Sequence, residues 1–128
     1  MKTTSEQSRS PRAGICVGIA MLCATAPVLA EGAFRHLGAA EIKKAIVGKA
    51  VTDGAHWSDR FKPDGTVESI MHGQVQNGRW HVRGSELCMA CPTGKTTAEE
   101  CFEVWRRDHV LEYRRNGTVI AQGELVNR

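Results

Sequence analysis

Turn-forming residues interrupt this chain so often after residue 60 that only short elements fit between them. Pro63-Asp64-Gly65, Gly73, Asn77-Gly78, Arg83-Gly84, Pro92-Thr93-Gly94, Asp108 and Asn116-Gly117 each mark a turn or loop. The stretches between them alternate in polarity with a period of two, as half-buried strands do. In 66–72, Val67, Ser69 and Met71 fall on one face and Thr66, Glu68, Ile70 and His72 on the other. Strands are expected over 55–61, 66–72, 79–82, 86–90, 101–107, 109–115 and 118–126. Asn77-Gly78 and Asn116-Gly117 are both read as hairpin turns. Segment 92–99 is loop by composition. No strand–helix alternation occurs, which excludes a parallel sheet. The expected fold is mainly β: an antiparallel meander forming a small lipocalin-like barrel or a sandwich.

One helix precedes the strands. In 38–49, Ala39, Ala40, Ile42, Ala45 and Ile46 form an apolar stripe while Glu41, Lys43 and Lys44 face water. Gly48 supplies the stop, so the helix is expected over about 38–47. Further upstream, residues 1–13 are polar with Lys2, Arg9 and Arg12, and 14–26 form an apolar run. Val28 and Ala30 then stand at the −3 and −1 positions of a cleavage site before Glu31. This is the pattern of a secretory signal peptide, and the apolar run is short of the roughly 20 residues of a membrane span. The chain divides into a leader, 1–30, and one domain, 31–128, that is exported to the periplasm or beyond and not held in the membrane. Three of the 17 basic residues and one of the 14 acidic residues lie in the leader, leaving 14 against 13. A nearly neutral domain gives no electrostatic case for nucleic acid.

In an oxidising compartment the cysteines of 31–128 acquire a meaning. Cys88, Cys91 and Cys101 lack the second ligand pair that a structural zinc site wants. Pro92 after Cys91 excludes a covalent haem motif, and a thioredoxin-like pair needs a helix start beside a βαβ unit. A staple across adjacent strands remains. Closing a loop of about 14 residues contributes roughly 3 kcal/mol in the chain-entropy description. Either Cys88 or Cys91 reaches Cys101 by a shift of register.

No nucleophile elbow, P-loop or paired-carboxylate signature is present; "CPTGKTT" lacks the leading glycine of a phosphate loop. The expectation is a protein that is not an enzyme and uses no cofactor or metal. His72 and His81, read as flanking the first Asn-Gly turn, are the histidines with the best claim to a copper site, but two further ligands cannot be named. Arg106-Arg107 and Arg114-Arg115 are expected on a solvated surface. Trp57, Trp80 and Trp105 stand one per strand, and a barrel mouth lined by them would bind a ligand.

Asp64-Gly65-Thr66, Gly78-Arg79-Trp80, Leu87-Cys88, Cys101 and Gly117-Thr118 together resemble the pattern of small exported bacterial β-proteins of uncharacterised function. The resemblance spans about residues 38–126 and implies fold and export rather than activity; Cys91 departs from it. A looser likeness is to periplasmic inhibitors of metalloproteases, small barrels whose N-terminal trunk would here be residues 31–37. The expected disulfide is Cys88–Cys101, since Cys88 lies inside its strand and Cys91 borders the loop, leaving Cys91 as a free thiol. The expected role is non-catalytic binding of a small molecule, envelope component or protein. Protease inhibition is the alternative, and a metal or redox site at Cys88, Cys91 and Cys101 the second.

Overall fold

The computed structural model describes residues 32–91 and 98–127. The expected leader and residues 92–97 of the expected loop lie outside the described residues. The elements run β1 (Arg35–His36), α1 (Ala39–Ile46), β2 (Lys49–Thr52), β3 (Trp57–Phe61), β4 (Thr66–Met71), β5 (Gln74–Arg83), β6 (Glu86–Ala90), β7 (Glu100–Arg107), β8 (Val110–Arg115) and β9 (Thr118–Asn127). Strands pair in the order β7-β6-β5-β4-β3-β2-β9-β8, and β8 returns to β7. The result is a closed eight-stranded antiparallel barrel, not a sandwich. Closure leaves these strands without a long open edge. β1 lies outside the ring and pairs with the end of β7, Arg35 opposite Arg106 and His36 opposite Trp105. No helix among the described residues is long and apolar enough to cross a membrane.

α1 forms for the reasons its sequence suggests. Ile42, Ala45 and Ile46 are buried on one stripe. The Glu41 carboxylate reaches back to the Gly38 N–H at 3.4 Å, satisfying one of the free donors at the helix start. Gly48, at φ +75°, ends it where other residues would be strained, and its N–H donates to the Phe61 carbonyl. The helix is thereby tied to β3. Ile42 and Ile46, with Leu37, cover one end of the barrel, whose interior there holds Phe61, Val67, Leu87, Val104 and Leu111. All eight are essentially inaccessible to solvent. Trp80 joins them, edge-on to Phe61 with ring centroids 5.8 Å apart, and its indole N–H donates to the Lys62 carbonyl at 3.0 Å.

Two readings of the sequence need correction. Asn77-Gly78 is not a turn. The β4–β5 hairpin turns at His72-Gly73, both with positive φ, and β5 runs unbroken through 77–78. Gly78 is required there for a different reason. A Cβ would stand 2.4 Å from the Ala90 carbonyl oxygen and 2.8 Å from Cys91 Sγ, so only glycine lets the end of β6 approach. His72 and His81 consequently do not face each other across a turn. They are nine positions apart on one hairpin arm, about 30 Å for extended chain, and a shared copper site is excluded by reach. The second correction is that β1 and β2 were not expected. β2 has three consecutive buried residues, Ala50, Val51 and Thr52, and so shows no alternation to read. Asn116-Gly117 does turn β8 into β9, both residues at positive φ.

Candidate functional site

Toward the other end of the barrel, the described residues enclose a cavity of about 640 Å³. Its walls follow from strand parity. Trp57 and Asp59 lie on the inner face of β3 at two-residue intervals before Phe61, so the strand carries an aromatic ring, a carboxylate and a core residue in succession. Asp59 stands opposite Ser69 on β4, and Ser69 opposite Gln76 on β5, which makes a polar rung across one wall. Phe102 from β7, Tyr113 from β8 and Met89 from β6 complete the lining, with Cys91, Glu100, Met71 and Ile120 toward the mouth. Two of the lining residues, Met71 and Ile120, are also exposed large apolar side chains.

The rim is fixed by the loop before β3. Asp53 Oδ1 accepts the backbone N–H groups of Ala55, His56 and Trp57 at 2.7–3.0 Å. Those donors, Trp57's first, hold the Asp53 carboxyl far below the usual carboxylate range. Thr52 Oγ1 donates to the Trp57 carbonyl at 2.7 Å. The Trp57 ring then lies over Gly123, where a Cβ would be 2.9 Å from it, and tilts against Tyr113 at 5.9 Å. Tyr113 in turn stacks on Phe102 at 5.6 Å. Three aromatic rings thus form one continuous surface inside the cavity.

Asp59 faces that surface and is 8% exposed. Its Oδ1 accepts the Ser69 hydroxyl at 2.6 Å. Burial raises its carboxyl above the usual range, and the Ser69 bond offsets part of the rise. The Tyr113 hydroxyl is buried beside the Asp59 carboxylate and makes no hydrogen bond of good geometry to a described residue. Burial first, then the charge of Asp59, raises it well above an ordinary phenol. Burial also pushes the Cys91 thiol up, helped by the charges of Asp59 and Glu100. A protonated thiol is a weak nucleophile, so Cys91 is a wall residue with little reactivity.

The cysteines separate by parity. Cys88 and Cys101 are directly opposite in the β6–β7 register and are disulfide-bonded, as expected. They lie on the outer face, because their neighbours Leu87 and Phe102 point in. Cys91, three residues beyond Cys88, is free and turned to the inner face. The bridge consumes both thiols on its side, and Cys91 joins neither group of clustered ligands that contains Cys88 among the described residues. Beside the bridge, His81 and Glu99 meet each other at 3.2 Å.

Of the three tryptophans, the structure brings only Trp57 to the cavity. Trp80 packs in the closed end. Trp105 points outward, stacked on His36 at 5.1 Å and covered by Arg114 at 4.2 Å. Arg114 also pairs with the buried Glu112 at 2.5 Å, and Phe34 lies under Arg107. This cluster fastens β1 to the barrel, so Arg107 and Arg114 are packed against rings instead of being solvated. Sequence reading passed over Asp59, Ser69, Glu100 and Tyr113. A signal existed for two of them. Ser69 lies between Val67 and Met71 on one face, and Asp59 between Trp57 and Phe61: polar groups at core positions.

Comparison with known proteins found no matching family model, no matching curated protein and no matching solved structure. The reading of function therefore rests on the cavity.

Proposed function

We propose that this protein is an exported, non-catalytic carrier or receptor that holds a small amphipathic molecule inside its barrel. The observation that carries the reading is the open cavity, aromatic on one wall and polar on the other, with a buried hydroxyl and a buried carboxylate directed into it. Sites of a few hundred Å³, mostly apolar with a few converging polar groups, are where proteins bind small ligands. Among the described lining residues, the free thiol is held protonated and no His, Lys or Arg stands by as a base. This favours binding over covalent chemistry. Export is supported by the leader pattern before Glu31 and by a disulfide, which suits an oxidising compartment.

Inhibition of a protease by an inserted N-terminal trunk is less well supported. Arg35 and His36 already pair with β7, Leu37 is buried, and its N–H donates to the Val104 carbonyl.

Two measurements test the proposal. The neutral probe N-phenyl-1-naphthylamine should gain fluorescence saturably with the wild-type protein. Ala121→Trp, which fills the cavity, should abolish the gain. An unchanged response in that variant would remove the cavity from the account. Protein recovered from the periplasm of an expressing cell should have the intact mass of residues 31–128 with one disulfide; retention of 14–26 would overturn cleavage.

A further inference from the structure

We infer that the ligand is an organic ammonium: a protonated amine on an aromatic or aliphatic body, bound with its charge at Asp59 and its body along Trp57, Tyr113 and Phe102. The inference rests on the binding reading above and adds the ligand's charge.

Asp59 is the reason. Carboxylates this deeply buried are ordinarily matched by a cation. Here β4 offers the hydroxyl of Ser69, β5 the amide of Gln76, β8 the phenol of Tyr113, and the end of β6 a thiol. None of them is positive. Among the described residues, no Lys, Arg or His lines the cavity, and its two charged residues, Asp59 and Glu100, are both acidic. Among the described residues, Arg115 stands 3.9 Å from Glu100 and 5.1 Å from the centre of the Phe102 ring. It engages the outer carboxylate and leaves the inner one unmatched.

The aromatic surface points the same way. Ring faces attract cations, most strongly where water is excluded, and Arg115 over Phe102 shows a cation already on one of them. An ammonium entering past Arg115 would meet Asp59 as acceptor and the lone pairs of the Tyr113 oxygen as a second. A carboxylate ligand would meet two like charges. A neutral alcohol would satisfy the hydrogen bonds and leave the charge of Asp59 unbalanced.

Three ligands of one shape decide the matter: 4-phenylbutylamine, 4-phenylbutanol and 4-phenylbutyrate, titrated calorimetrically at neutral pH. The amine should bind about tenfold or more tightly than the alcohol, the scale of one buried charge pairing. The acid should bind weakest. Asp59→Asn should erase the preference, bringing the amine down to an affinity no greater than that of the alcohol. Acidifying the wild-type protein through the raised Asp59 carboxyl should weaken the amine and not the alcohol, and the same loss in Glu100→Gln assigns it to Asp59. Equal binding of alcohol and amine, tighter binding of the acid, or full amine affinity in Asp59→Asn would overturn the ammonium and leave the binding cavity standing. Failure of all three ligands to bind would overturn both readings.

Discussion

The two ends of the barrel are made from the same strands and do opposite things. At the closed end, Phe61, Val67, Leu87, Val104 and Leu111 meet beneath α1 with no accessible surface. At the open end, two or four residues further along the same inner faces, stand Trp57, Asp59, Ser69, Met89 and Phe102 around empty space. On the proposed function, stability and recognition are separated along the strand axis. One end is apolar and filled. The other leaves a carboxylate and a phenol inside the protein with few partners, a cost that the packed end and the staple must offset. The comparison predicts that substitutions lose stability at the closed end and lose or change binding at the open end.

The largest effect belongs to Phe61→Ala. It should remove about 3–5 kcal/mol of stability, as deletion of a fully buried ring does. Met89→Ala, against an existing cavity, should cost about 1 kcal/mol by the smaller area involved. Denaturant unfolding compares the two; equal losses would mean that the open end is packed as tightly as the closed one. Next is the staple. Replacing Cys88 and Cys101 together by serine should cost about 3 kcal/mol from loop closure. Probe binding by the remaining folded protein should persist, because the bridge lies on the outer face. Loss of binding at full folding would tie the bridge to the cavity.

Gly78→Ala comes third. Its Cβ would collide with the Ala90 carbonyl and Cys91, and such overpacking costs about 1–3 kcal/mol. Were Asn77-Gly78 merely a turn, alanine would be judged by φ alone, so a neutral result would break the assignment of β5.

The smallest effect has the opposite sign. Asp59 has its carboxyl raised in the folded state, so between its unfolded and folded values the native protein binds more protons than the unfolded chain. Asp59 therefore lowers stability as pH rises through its folded value. Asp59→Asn should raise the melting temperature at neutral pH, and the gain should vanish on acidification below the unfolded carboxylate range. Asp53 at the rim behaves conversely. Its carboxyl is depressed, so its contribution is present above the unfolded value and is lost in acid. A thermal melt of Asp59→Asn matching wild type at all pH values would show that the carboxylate is better solvated than its burial indicates.

Much of the fold was legible where its cues are local. The α1 stripe, the Gly48 stop, the Pro63-Asp64-Gly65 turn and the Asn116-Gly117 hairpin each depend on neighbours within a few residues. The cavity was less so. Trp57, Trp80 and Trp105 look alike in a strand pattern, yet one lines the cavity, one fills the core and one packs outside under Arg114. Trp105 has the parity of Cys101 and opposes the parity of Phe102. That relation was available from the sequence once the disulfide was placed on the outer face.

The sequence by itself determined an antiparallel β-protein with one helix, and it favoured Cys88 over Cys91 as the partner of Cys101, because strand period and turn chemistry are short-range properties; the β6–β7 register settled the pairing. Tertiary structure decided the rest. Whether the meander closes depends on β8 finding β7 and β9 finding β2, pairings between distant segments that no local pattern encodes. Gly78 shows the limit most plainly. The same Asn-Gly dipeptide serves for positive φ at 116–117 and for missing side-chain volume at 78, and only the approach of Ala90 and Cys91 tells the two uses apart. Asp59 is the functional counterpart: an ordinary acidic residue in the chain, which becomes a buried, unmatched carboxylate only when eight strands close around it.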